Sequence, residues 1–282
     1  MPLIGAHVSI SGSISLSFDR AKSMGCTAFQ IFTRNPRGWK TKKLEDDDYV
    51  SFLEKLDSTK LLPIAHMPYL PNIASPDAEG YRRSVEVLTE EMLKCSRLRI
   101  PYLVTHLGSH MGTSEDEGIK RVAKACNIAL EASGENVVLL LENTAGQKNS
   151  VGHSLEQLKQ CIEMVKEKKR VGICYDTCHG FAAGYDIRSK DSVDSFMEAF
   201  DEIIGLSCLK MIHANDSKGD LNCHLDRHEH IGFGKIGLEG FRSFLSRKEV
   251  RDLPIIMETP MDSEEACLKD IEILWDIVLG RI

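Results

Sequence analysis

Asp226 and His228 form an Asp-x-His pair inside a polar stretch that runs from residue 213 to 237. In extended chain, residues i and i+2 point to the same side. A carboxylate oxygen and an imidazole nitrogen placed this way can grip one zinc-like cation. Alone the pair is a weak signal, because polar loops collect His and Asp by chance. Around it, however, six consecutive strand-like runs close on residues of the same kinds: His66, His106, Glu142, Asp176, His213 and Glu258. His179 stands three residues past Asp176. The set holds nine candidate metal ligands, five imidazoles and four carboxylates. Gathering four carboxylates is costly unless cations neutralise them. A zinc ion takes about four ligands, and a catalytic one keeps a position for water, so nine suit two or three ions.

The elements that must position these side chains recur regularly. Strand-like runs fall at 3–8, 27–32, 61–66, 102–106, 137–142, 171–176, 208–213 and 254–258, each followed by a helical pattern. The run at 137–142 is apolar without alternation, as a parallel strand buried on both faces should be. Residues 77–98 and 263–279 carry helix-spaced apolar positions with charges opposite them. Ser114-x-x-Glu117 and Ser154-x-x-Gln157 read as capping boxes. Eight strands alternating with helices predict the α/β class, as a single-domain (β/α)8 TIM barrel over residues 1–282. In that fold the C-terminal strand ends share one mouth, which is where the polar residues close their strands.

Composition narrows the class. No apolar run approaches the ~20 residues that cross a bilayer, and the N-terminal residues lack the pattern of a signal peptide. Nine cysteines without a Cys-x-x-Cys pair point to reduced thiols and a cytoplasmic protein. The formal net charge of −7 argues at first against a nucleic-acid partner.

Three long strings change that reading. They are Glu142-Asn-Thr-Ala-Gly146, Asp176-Thr-Cys-His-Gly-Phe-Ala-Ala-Gly-Tyr-Asp186, and His213-x-Asn-Asp-Ser-Lys followed by Asp226-Arg-His-Glu. In this order they closely resemble endonuclease IV, the zinc-dependent apurinic/apyrimidinic endonuclease family. The resemblance runs from Ile4-Gly-Ala-His-Val-Ser9 to Glu258-Thr259, nearly the whole chain.

It implies three zinc ions, with manganese or iron able to replace one, since such sites differ by availability as much as by affinity. His66, His106 and Glu142 would hold the first ion, and Glu142 would bridge to a second held by Asp176, His213 and Glu258. His179, Asp226 and His228 would hold the third. Glu142 and Glu258 would be the catalytic carboxylates, with Glu258 orienting or deprotonating the water that attacks phosphorus. The implied reaction is a nick 5′ to an abasic site in duplex DNA, leaving a 3′-hydroxyl and a 5′-deoxyribose phosphate. Trimming of blocked 3′ ends would use the same attack. Three divalent cations would nearly cancel the net charge of −7.

Arg37, Tyr69 and Leu70 are, by the same resemblance, the residues inserted into DNA. Tyr69 and Leu70 lie between Pro68 and Pro71, which stiffen the loop. The basic segment 34–43, with five basic residues and no acid, is expected to contact phosphate at the mouth. Residues 166–170 precede the sixth strand and are expected to be a solvated helix end. Where the family usually has Gly-Ser before Asp-Arg-His, this chain has Asn222-Cys223. His224 and His230 are not expected to bind metal, and His7 is left without a role. A monomer suffices, because one chain supplies every ligand. The alternative is a divalent-metal sugar isomerase or epimerase of the xylose-isomerase-like barrels. That reading accounts for Glu142, Asp176, His213 and Glu258, but not for the other ligands or the basic loop.

Overall fold

A computed structural model describes residues 1–39 and 44–282. Eight parallel strands form its centre: β1 (Leu3–Ala6), β2 (Ala28–Phe32), β3 (Leu62–His66), β4 (Tyr102–His106), β5 (Val138–Glu142), β6 (Val171–Asp176), β7 (Leu209–His213) and β8 (Pro254–Met257). Their hydrogen-bonded order is β1, β8, β7, β6, β5, β4, β3, β2. The ends of that sheet meet through a parallel bridge between His7 and Gln30, with Val8 N–H donating to the Gln30 carbonyl at 2.8 Å. The sheet is thereby closed into the expected barrel, with every strand within two residues of its predicted bounds. Gly5 is required in β1, because a Cβ there would run into the Ala28 carbonyl of β2.

Eight longer helices cover the barrel, one after each strand, from Leu16–Ser23 to Glu264–Val278. Asp77 caps Ala78–Leu98 through Gly80 N–H at 2.6 Å, and Ser263 caps Glu264–Val278 through Ala266 N–H at 3.1 Å. The two expected capping boxes are only half formed. Ser114 and Ser154 accept from the Glu117 and Gln157 amides at 3.2 and 3.3 Å, but neither partner reaches back. Gln157 instead accepts from Gly152 N–H at 2.7 Å, and Glu117 pairs with Lys120 at 2.9 Å. Residues 166–169 are exposed as expected, but Arg170 departs from expectation. Arg170 is buried and donates to the carbonyls of Leu130 at 2.9 Å and Gly134 at 2.7 Å, clasping the turn that precedes β5.

The barrel interior is layered, as strand alternation requires. Ala28, Ile64, Val104, Leu140, Cys174, Met211 and Ile256 pack together as one buried apolar layer. Two residues further along each strand stand Gln30, His66, His106, Glu142, Asp176, His213 and Glu258. Gly5 of β1 pairs in register with Ile256, so His7 joins the same upper layer. A dry floor one period-2 step below therefore fixes the height at which all eight polar side chains enter the mouth. Among the described residues no helix is long and apolar enough to cross a membrane.

Candidate metal centre

The nine expected ligand residues converge at the mouth in three sets. His66, His106 and Glu142 form one; Glu142, Asp176, His213 and Glu258 form a second; His179, Asp226 and His228 form a third. Within each set, one nitrogen or oxygen from every side chain lies within 4.8 Å of the others, and a fourth, equally close cluster, Asp176, Cys178 and His228, links the second and third sets. Glu142, fully buried, belongs to two sets and divides its oxygens between them. Its Oε2 lies 3.0 Å from His66 Nε2 and 3.1 Å from His106 Nε2, while Oε1 lies 2.9 Å from His213 Nδ1.

The imidazoles are held with one nitrogen facing the cluster. A carbonyl oxygen only accepts, so the ring nitrogen beside it must carry the proton. His66 Nδ1 donates to the Met67 carbonyl at 2.6 Å, His179 Nδ1 to that of Asn143 at 3.0 Å, and His228 Nδ1 to that of Glu258 at 3.0 Å. His213 Nε2 lies 2.8 Å from Gln30 Oε1. Anchoring the outer nitrogen this way is how metal-binding histidines are oriented. His228 Nε2 is buried and has no hydrogen-bond partner, although it lies 3.4 Å from Asp226 Oδ1. An orphaned nitrogen beside a carboxylate is costly in a folded protein unless a cation sits between them. Tied tautomers, a divided carboxylate and this orphan together fit divalent metal.

The charges compensate one another. Burial opposes ionisation of Glu142, yet His106 and His213 hold its carboxyl well below the usual carboxylate range. Glu258 is likewise penalised by burial and is held at about 2 by His213 and His66. Burial also works against protonated His179, but Asp176 and Asp226 lift it to about 10. Asp226 is lowered against burial by His179 and His228. His7 goes the other way, dropping to about 4 through burial despite Glu258 nearby. Imidazole protons thus balance the carboxylates, and divalent cations would take over that balance as they bind.

Several side chains that shape the site were not singled out from sequence. Gln30 is fully buried, and besides accepting from His213 its Nε2 donates to Glu258 Oε1 at 2.7 Å and lies 3.1 Å from His7 Nδ1. Asn215 donates to Asp176 Oδ2 at 2.6 Å and accepts from Glu258 N–H at 2.7 Å. Asn143 bonds both backbone groups of Asp176, at 2.7 and 3.0 Å. Only Gln30 had a usable signal: a lone polar residue in the run Ala28–Phe32, in phase with the apolar layer.

The loop after β7 is organised by buried Asp216. Its Oδ1 accepts from Ser217 N–H at 2.8 Å and Ile236 N–H at 2.9 Å. Its Oδ2 accepts from Gly232 and Gly234 at 3.0 Å and from Gly237 at 3.2 Å. Asp216–Ser217 also pairs antiparallel with His228–Glu229, and His228 Nδ1 reaches the Glu258 carbonyl just past β8 at 3.0 Å. Asp216→Asn puts an amide NH2 against these donors and should destabilise the fold by about 3 kcal/mol, since hydrogen bonds to charged groups are worth ~1.5–3 kcal/mol each. Urea unfolding of the two proteins checks this, and an unchanged midpoint would contradict it.

The Asn222-Cys223 segment is docked by its backbone. Asn222 and His224 donate to the carbonyls of Phe181 and Ala182 at 3.1 and 2.9 Å. Both residues adopt positive φ, 61° and 56°. His224 Nδ1 lies 3.2 Å from the Ala145 carbonyl, and His230 Nδ1 lies 2.7 Å from Asp270 Oδ2; neither joins a ligand set.

The expected DNA-binding residues lie on neighbouring loops. Tyr69 and Leu70 are 61 % and 42 % exposed, and Tyr69 N–H donates to the Pro36 carbonyl at 3.2 Å, joining the loops after β3 and β2. Arg37 is exposed. A cleft of about 320 Å³ opens beside them, lined by Tyr69, Leu70, His106, Lys148, His179 and Asp226. The basic segment is only partly as expected. Arg34 is buried and turned inward, with Nη1 3.2 Å from Glu90 and 3.7 Å from Glu91, so it cannot serve phosphate. Lys40, Lys42 and Lys43 lie outside the described residues.

Comparison with known proteins agrees with this geometry. A family profile described as xylose isomerase-like TIM barrel matches residues 18–276. The protein named probable endonuclease 4 of Methanoculleus marisnigri is 52 % identical, over 94 % of this chain and 95 % of that one. The crystal structure of endonuclease IV from Thermus thermophilus superposes with a TM-score of 0.89 at 31 % identity, covering 99 % of this chain and 100 % of that one. A D-tagatose 3-epimerase-like protein shares the fold alone, at TM-score 0.71 and 21 % identity, over 98 % of this chain and 97 % of that one. The barrel therefore does not separate the two functions considered from sequence, whereas sequence identity across nearly the full length does: the chain belongs to the endonuclease 4 family.

Proposed function

We propose that this protein is a metal-dependent DNA repair endonuclease. It hydrolyses the phosphodiester 5′ to an abasic site in duplex DNA, leaving a 3′-hydroxyl and a 5′-deoxyribose phosphate, and trims blocked 3′ ends by the same attack. The observation that carries the reading is the convergence of nine ligand-type side chains in three sets at the barrel mouth. His66, His106 and Glu142 would hold one zinc; Glu142, Asp176, His213 and Glu258 would hold a second; His179, Asp226 and His228 would hold the third. Bound zinc supplies Lewis acidity, lowering the pKa of water from about 15.7 to about 7 and stabilising charge on phosphoryl oxygens.

The chain's own residues supply the rest. Glu258 is the acceptor for the proton of the attacking water, and Gln30 holds its Oε1 at 2.7 Å so that the carboxylate faces the mouth. Glu142 fixes the spacing of the first two sets through its divided oxygens. Arg37, Tyr69 and Leu70 enter the duplex and hold it open at the lesion. A nucleotide lacking its base has no stacking to lose, which lowers the cost of extruding it and offers a source of selectivity. The third set and the exposed Tyr69–Leu70 tip go beyond what a sugar isomerase requires.

The test is incision of an end-labelled duplex carrying one synthetic abasic site. Cleavage on the 5′ side with a polymerase-extendable 3′ end is the expected result. An intact duplex with a metal-loaded protein, or a nick on the 3′ side, would overturn the reading.

A further inference from the structure

A second apolar tip stands in solvent at the mouth, away from Tyr69 and Leu70. Phe233, on the loop after β7, is 72 % exposed, and Met261, on the loop after β8, is 76 % exposed. In the strand order β7 is four places from β3, so the two tips occupy opposite sides of the eight-stranded barrel. Phe233 lies five residues past His228, within about 17 Å of it by chain reach. That reach is at most about five nucleotide steps of duplex axis at ~3.4 Å each.

The loop that carries Phe233 is rigid. The flanking Gly232 and Gly234 amides both donate to Asp216 Oδ2 at 3.0 Å, and Phe233 N–H donates to the His230 carbonyl at 3.0 Å. Gly234 cannot be another residue, because a Cβ would collide with the Asp216 carboxylate and the Ser217 carbonyl. Asp270, buried in the last helix, then joins this loop to the next. It accepts from Ile231 N–H at 3.0 Å and Thr259 Oγ1 at 2.7 Å, and lies 2.7 Å from His230 Nδ1. Phe233 and Met261 therefore ride on one locked platform. Leaving an aromatic ring in water is unfavourable, and fixing its backbone as well prepays the ordering cost of a contact.

We propose that Phe233, with Met261 beside it, is a second DNA contact, packing against the deoxyribose rings and groove edges of the duplex on the side of the site opposite Tyr69 and Leu70. The inference rests on the endonuclease reading. Duplex DNA is the occupant because the platform is continuous with the mouth where the scissile phosphodiester must meet Glu258. Lys218 and Lys235 lie half-exposed on the same loop, held loosely by Glu229 at 4.0 Å and Asp220 at 3.7 Å, ion pairs that a phosphate would replace.

The experiment compares wild type, F233A, F233A/M261A and F233W in steady-state incision of an abasic duplex. Burial of an aromatic side chain predicts KM raised at least about five-fold in F233A and further in the double variant, with kcat within about two-fold. F233W keeps a large apolar face and should keep KM near the wild-type value. Both side chains are solvent-exposed, and unchanged metal content and thermal midpoint verify that the variants fold. An unchanged KM in the double variant overturns the proposal, as does a loss confined to kcat. Failure of the wild type to cut an abasic duplex overturns the endonuclease reading itself, which distinguishes the two failures.

Discussion

Glu142→Gln is expected to abolish incision and to remove metal from two of the three sets. Glu142 is fully buried and presents Oε2 to His66 and His106 and Oε1 to His213. A glutamine offers one oxygen and one NH2. Whichever way it is turned, its NH2 faces imidazole nitrogens on one side and leaves that side without a ligand. No rotamer serves both sets. Affinity should fall by more than the ~10–100-fold typical of losing a supporting residue, because a direct ligand is lost. The set of His179, Asp226 and His228 does not include Glu142 and should retain its ion. Elemental analysis of the dialysed variant, beside its incision rate, reads both effects. Three ions per chain with near-normal incision would show that Glu142 bridges nothing.

Glu258→Gln should separate chemistry from binding. The glutamine keeps an oxygen that can still accept from Gln30, and the backbone N–H of residue 258 can keep its bond to Asn215 at 2.7 Å. What it lacks is the charge and basicity needed to take a proton from the attacking water. With its oxygen on Gln30, its NH2 also takes the place of Oε2, 3.5 Å from His213 in the second set, so rates are compared at measured metal content. Loss of a positioned general base typically costs ~10²–10⁴-fold, so kcat is expected to fall by about 10³-fold. Affinity for an abasic duplex should stay within about three-fold, since the loops proposed to grip DNA are untouched. Fluorescence anisotropy and single-turnover incision on the same preparation measure the two quantities. A parallel loss of affinity and rate would place Glu258 in DNA binding or in folding instead.

The barrel and the side chains at its mouth were legible in the sequence for one physical reason. Strands alternate, so an apolar residue at one height and a His or acid two residues later mark the same inward face. Ile64 and His66, Leu140 and Glu142, and Met211 and His213 each show this step. The same step also places Gln30 above Ala28 and His7 above Gly5, and there the reading stopped short. An amide is not a metal-ligand type, so nothing in its chemistry flagged Gln30, and the height of His7 depends on the register between β1 and β8. Asp216 stood inside a recognised string, but its role comes from amides as far away as Gly237, which no local pattern reveals. Charge counting failed at Arg34 and Arg170. Both look like solvent-facing cations in sequence, and both are buried because carboxylates or carbonyls more than 30 residues away receive them. The capping serines were legible because an N-cap is local. Their partners were not, because Gln157 found a better acceptor role at Gly152.

The most direct test of the account is a metal titration read by incision. The protein is stripped with chelator, zinc is returned stepwise, and each sample is divided between elemental analysis and cleavage of an abasic duplex. The account predicts no incision by the stripped chain and full 5′-side incision only as the content approaches three ions per chain. Incision by the stripped protein, or an intact duplex at three ions per chain, would contradict it.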